Sequence, residues 1–93
     1  MKNDKLNFYY IKCKRFKLTN EYMPGYDFVN TTFILILPND EDPDIYHMKN
    51  ICHFNDIEWF KISEYEYHNF YSHMYNITTL VKYNNHYKIL ITK

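Results

Sequence analysis

Apolar and polar residues alternate from Tyr9: Tyr9, Ile11 and Cys13 fall on one side and Lys12 and Lys14 on the other, the period of a half-buried strand. The phase slips at Arg15, after which Phe16 and Leu18 carry the apolar side, so a β-bulge is expected near Lys14 or Arg15. The Pro24-Gly25 pair marks a turn. A second strand is predicted over residues 27–37; its end, "FILIL", is apolar on both faces, the mark of a central strand with a layer on each side. The acidic stretch 39–44 reads as a solvated turn.

The segment 45–54 admits two readings. Asp42-Pro43 could open a short helix, whereas alternation of Tyr46, Met48, Cys52 and Phe54 favours a strand that Asn55-Asp56 turns into "IEWFKI"; the strand is the preferred expectation. At Ser63 the period changes to that of a helix. Ser63 and Glu66 form a capping box, Ile62 and Tyr67 stand where a hydrophobic staple would, and Tyr67, Phe70, Tyr71 and Met74 make an i, i+3, i+4, i+7 stripe. An amphipathic helix over about 64–75 follows. Residues 77–92 read as a C-terminal hairpin turning at Asn84-Asn85, with Leu80 facing Ile89 and Thr79 facing Leu90, and with apolar pairs on both sides that suggest a central position. Together these predict a single α+β domain spanning 1–93: an antiparallel sheet of about four to six strands with one helix packed on a face.

Composition sharpens this picture. Ninety-three residues allow one modest core, and eleven tyrosines and seven phenylalanines must fill it. Eighteen such rings exceed what that core can hide, so several belong on the surface. Alanine and glutamine are absent, while Asn, Lys, Ile, Tyr, Phe and Met make up more than half the chain, an alphabet of A/T-rich codons that points to a low-GC genome such as that of a phage, virus or mobile element. The same codon bias would place tyrosine on surfaces whatever its use.

Basic and acidic residues balance at eleven each, so no global field draws the chain to nucleic acid or anionic lipid. The longest apolar run is strand-sized and no membrane span or leader peptide is read, which makes a cytoplasmic location the expectation. Cys13 and Cys52 are then expected as reduced, buried thiols.

The chemistry-bearing residues do not assemble into a known motif. His68 and His73, five apart, diverge by about 140° on a regular helix, and no paired cysteines complete a zinc site. Cys52 beside His53 is adjacency in sequence, not a nucleophile with its base. One glycine cannot build a phosphate-cradling loop. Neither cofactor nor metal is therefore expected, and no catalytic residue is named. What remains is binding. Tyr22, Tyr26, Trp59, Tyr65 and Tyr75 are the candidate contacts for a protein partner, in the concrete form of a host protein that this chain docks on and inhibits. The alternative is a nucleic-acid-binding module using Lys12, Lys14, Arg15 and Phe16, where cations interleave with an aromatic ring; lysines that merely guard a strand edge would look the same. A homodimer through an edge strand or the tyrosine-rich helix is also open.

Overall fold

The computed structural model describes residues 5–18, 26–38, 40–74, 77–83 and 86–90, with backbone alone for 16–18 and 26–28. Five strands, β1 (Asn7–Leu18), β2 (Tyr26–Leu37), β3 (Phe54–Ile62), β4 (Thr78–Tyr83) and β5 (His86–Leu90), form one sheet in the order β3-β1-β2-β4-β5. Two short helices, α1 (Ile45–Asn50) and α2 (Glu64–Asn69), and a 3₁₀ turn (Tyr71–His73) complete it. The fold is the expected α+β class. Every neighbouring pair is antiparallel except β2 with β4, which is parallel. That exception follows from the route of the chain: β3 runs alongside β2 in direction, and α2 with the 3₁₀ turn then crosses to the far side of β2, as parallel strands require.

β2 is central, as its two-faced apolar end implied. Ile34 and Ile36 join Phe8, Ile62, Ile77 and Val81 on one face, where Tyr67 of α2 closes the cluster. Phe33, Leu35 and Leu37 join Tyr9, Ile11 and Cys13 on the other, where Met48 of α1 closes it. These are called the α2 face and the α1 face below.

The capping box at Ser63 forms as expected: the Glu66 N–H donates to Ser63 Oγ at 3.0 Å and the Ser63 N–H to Glu66 Oε1 at 2.8 Å. The helix is nevertheless shorter than 64–75. It stops at Asn69, where Phe70 leaves helical geometry (φ −126°, ψ −60°), and a 3₁₀ turn follows. Polar side chains take up carbonyls there: Asn69 Nδ2 donates to the Tyr65 carbonyl at 2.8 Å and Ser72 Oγ to that of His68 at 2.9 Å. The break splits the stripe, so Tyr67 is buried and Tyr71 half-buried, while Phe70 and Met74 are exposed.

The strand expected over 45–54 is corrected to helix α1. Its N-cap is Asp44, whose Oδ1 accepts the His47 N–H at 2.9 Å, and Pro43 lies just outside rather than at the first helical position. Ile45 and Met48, three apart, reach the α1 face, whereas Tyr46 and Cys52 of the apparent alternation are exposed. Asn55-Asp56 makes no turn between strands either. It lies within β3 at a bulge: two steps of β1 from Lys12 to Lys14 are matched by three of β3 from Glu58 to Asn55, and Asp56 takes φ 51°, a left-handed value that aspartate tolerates. The bulge expected in β1 near Lys14 or Arg15 is therefore corrected: the extra residue lies in β3, opposite Lys12 to Lys14, and β1 pairs with β2 without a slip from Asn7↔Leu37 to Leu18↔Tyr26.

The hairpin has the expected pairs, Leu80↔Ile89 and Thr79↔Leu90. Its position is not central: β5 is an edge strand and all five of its residues are exposed. The turn at Asn84-Asn85 lies outside the described residues.

Candidate partner-binding surface

Among the residues singled out for a protein partner, Tyr22 and Tyr75 lie outside the described residues, as does the side chain of Tyr26, whose backbone pairs with Leu18 at the end of β1 and β2. Trp59 is 40% exposed on β3 and packs edge-on against Tyr9, ring centroids 5.5 Å apart. Tyr65 is 69% exposed on α2 and meets Phe70 edge-on at 6.5 Å. The two do not converge. Trp59 lies across from Ile11 and so belongs to the α1 face, whereas α2 lies over the other.

Other exposed rings were missed. Tyr46 is 74% and Phe70 60% exposed, and Phe60, Tyr83 and Tyr87 also reach solvent. On the α2 face Phe60, Tyr10 and Tyr71 form a chain of rings with centroids 6.4 and 5.2 Å apart, continuing the core outward to the sheet margin. Strict alternation along β3 could have revealed Phe60, since it stands opposite Tyr10. Phe70 could not be found that way, because helical spacing assigned it to the buried stripe.

The basic residues around β1 are partly neutralised where they stand. Lys12 and Lys14 share the α2 face and line an open groove of about 670 Å³ with Asn30, Thr32, Asp56 and Glu58. Glu58 is the cross-strand partner of Lys12, and Asp56 Oδ2 lies 3.6 Å from Lys14 Nζ. Arg15 Nε donates to Thr31 Oγ1 at 3.0 Å, and the side chain of Phe16 is outside the description. Two cations facing two carboxylates give the groove little net charge.

The acidic loop expected to be a solvated turn is tethered. Tyr9 Oη lies 2.9 Å from Asp42 Oδ1 and 3.0 Å from the Glu41 carbonyl, able to donate to either, and Asn7 Nδ2 donates to the same carbonyl at 3.2 Å. Lys82 Nζ reaches Glu41 Oε1 at 2.7 Å, a contact that raises the lysine pKa. Burial, then the hydrogen bond that the hydroxyl donates to Asp42, pushes the Tyr9 phenol up to about 12, so it stays protonated and serves as a donor. Asp40, Asp42 and Asp44 themselves are exposed.

Cys13 is buried as expected and burial raises its pKa, keeping it a thiol; Cys52 is exposed, against expectation, because α1 ends before it. Both are free. His68 rests beside the rings of Phe8 and Tyr67, and its Nε2 is 3.5 Å from Glu64. Among the described residues no three or more of His, Cys, Asp and Glu gather to hold a metal ion, and no helix is long and apolar enough to cross a membrane.

No family model, curated protein or solved structure matches the chain, so the reading of its function rests on its sequence and this geometry.

Proposed function

We propose that the protein acts by stoichiometric binding, docking on a protein partner through its exposed aromatic side chains. One observation carries this reading: Tyr65 on α2 and Phe70 just past its end are each more than half exposed and meet edge-on at 6.5 Å, where rigid rings offer contact area at little entropic cost. The low-GC codon alphabet extends the proposal to a phage, virus or mobile element, with a host cytoplasmic protein as partner and inhibition as the consequence.

The test compares the wild-type chain with Y65S/F70S. Wild type retains one dominant protein from host lysate at physiological salt and inhibits it at a one-to-one ratio, and the variant, which alters only exposed rings, retains about tenfold less. A clean blank with wild type, or equal retention by both, overturns the proposal.

The second reading, a nucleic-acid-binding module, rests on Lys12 and Lys14 sharing one groove. It requires affinity for DNA or RNA that falls steeply with salt, since displaced counterions drive such binding. Glu58 and Asp56 in the same groove place it behind the first.

A further inference from the structure

No described strand pairs with the outer edge of β3 or of β5. These two edges are complementary in several ways. β3 is antiparallel to β5, because β3 runs with β2 and β4. A second copy moved along the sheet, neither reversed end to end nor turned over, therefore brings its β3 antiparallel against β5 of the first, with the α1 and α2 faces kept in line. The edges also match in backbone phase. Residues on the α1 face, Tyr87 and Ile89 on β5 and Ile57, Trp59 and Lys61 on β3, are those whose peptide groups turn outward, since face and hydrogen-bonding direction alternate together along a strand.

From these edges we infer that the protein self-associates head to tail, β5 of one copy pairing with β3 of the next. The side chains select the register. Placing Lys88 across from the neighbour's Glu58 sets Tyr87 across from Trp59, Ile89 across from Ile57 and His86 across from Phe60. Opposite charges meet on the α2 face, and aromatic and aliphatic pairs meet on the α1 face. Shifting by two residues towards Lys61 sets Lys88 against Phe60 and Tyr87 against Lys61, and shifting the other way runs into the bulge at Asp56. The symmetric alternative, β5 on β5 about its centre, opposes Lys88 to Lys88. Ile89, at 66%, is the most exposed of the large apolar side chains on β5.

Because the two surfaces differ, the contact does not close on itself, and copies add without limit. Each copy contributes five strands, so the ribbon advances about 24 Å and twists by roughly 100–125° per copy.

Sedimentation velocity over a concentration series tests this. The wild-type mean mass should rise through dimer and trimer without a plateau at two. K88E, which changes an exposed residue whose strand partner is Val81 and whose ammonium lies 5.3 Å from the centre of the Tyr83 ring, should weaken association about tenfold. E58K should do the same, and mixing the two variants, or combining both changes in one chain, should restore growth. Glu58 also faces Lys12 within its own sheet, so the fold of E58K is checked by thermal melting; if it fails, K88E alone decides. A wild type that stays monomeric, a closed dimer, or growth indifferent to K88E overturns the inference.

Discussion

On the α2 face, Tyr67 is the one buried residue of its helix and lies stacked on Phe8 at 5.0 Å; on the α1 face, Met48, a flexible thioether rather than a ring, is the one buried residue of a helix of equal length. The segment leading into α1 is instead held by polar ties, Tyr9 to Asp42 and Lys82 to Glu41. One cover is thus secured by an apolar plug and a capping box, the other by hydrogen bonds from the sheet to the loop before it. Helices of six residues are too short to stand without such anchors.

The largest expected effect breaks the first cover. Tyr67→Ala removes the ring and leaves a cavity over Phe8, Ile34 and Ile36, costing about 3–4 kcal/mol, whereas Met48→Ala costs about 2–3 kcal/mol because the loop ties remain. Urea unfolding of both variants measures the difference. Equal losses, or a larger one at Met48, would mean that the two covers are anchored alike.

A smaller effect tests the polar ties. Tyr9→Phe keeps the ring and its contact with Trp59 but removes the hydroxyl, and should cost about 1–2 kcal/mol. It should also change the alkaline limb of stability. The phenol pKa is raised from 10.0 unfolded to about 12 folded, so its contribution is complete below pH 10 and is lost as pH climbs towards 12. Tyr87, also raised by burial, leaves a residual slope in the variant. Denaturant midpoints from pH 8 to 12 should therefore converge for wild type and Tyr9→Phe at the alkaline end; a constant gap would show that the hydroxyl does not couple to ionisation.

The same comparison explains what the sequence disclosed. The α2 cover was legible because its signals are local: Ser63 and Glu66 are three residues apart, and Ile62 and Tyr67 five. The α1 cover was not, because its anchors come from Tyr9 and Lys82, more than thirty residues away in either direction, and a six-residue helix offers too few turns for its period to outweigh a chance alternation. Strand pairing within the hairpin was readable from turn length, but the edge position of β5 depends on strand order, which no single segment encodes. The candidate surface suffered most. Exposure of Phe70 is decided by where α2 breaks, and the neutralisation of Lys14 by Asp56 is decided by a bulge in the neighbouring strand.

The smallest expected effect concerns a residue of β4 that the α2 face buries completely. Thr79 is 0% exposed, lies beside Ile34 in the parallel ladder and across from Leu90, and its Oγ1 has no hydrogen-bond partner among the described residues. A hydroxyl without a partner in an apolar layer keeps its desolvation cost, so the isosteric change Thr79→Val should stabilise the fold by about 0.5–1 kcal/mol, read as a raised urea midpoint with an unchanged slope. The gain tests whether the buried cluster of this face is apolar throughout, unlike that of the α1 face with its buried Asn7 and Tyr9. A loss of stability would mean that the hydroxyl is paired in solution, and that both faces of the sheet are held by polar ties.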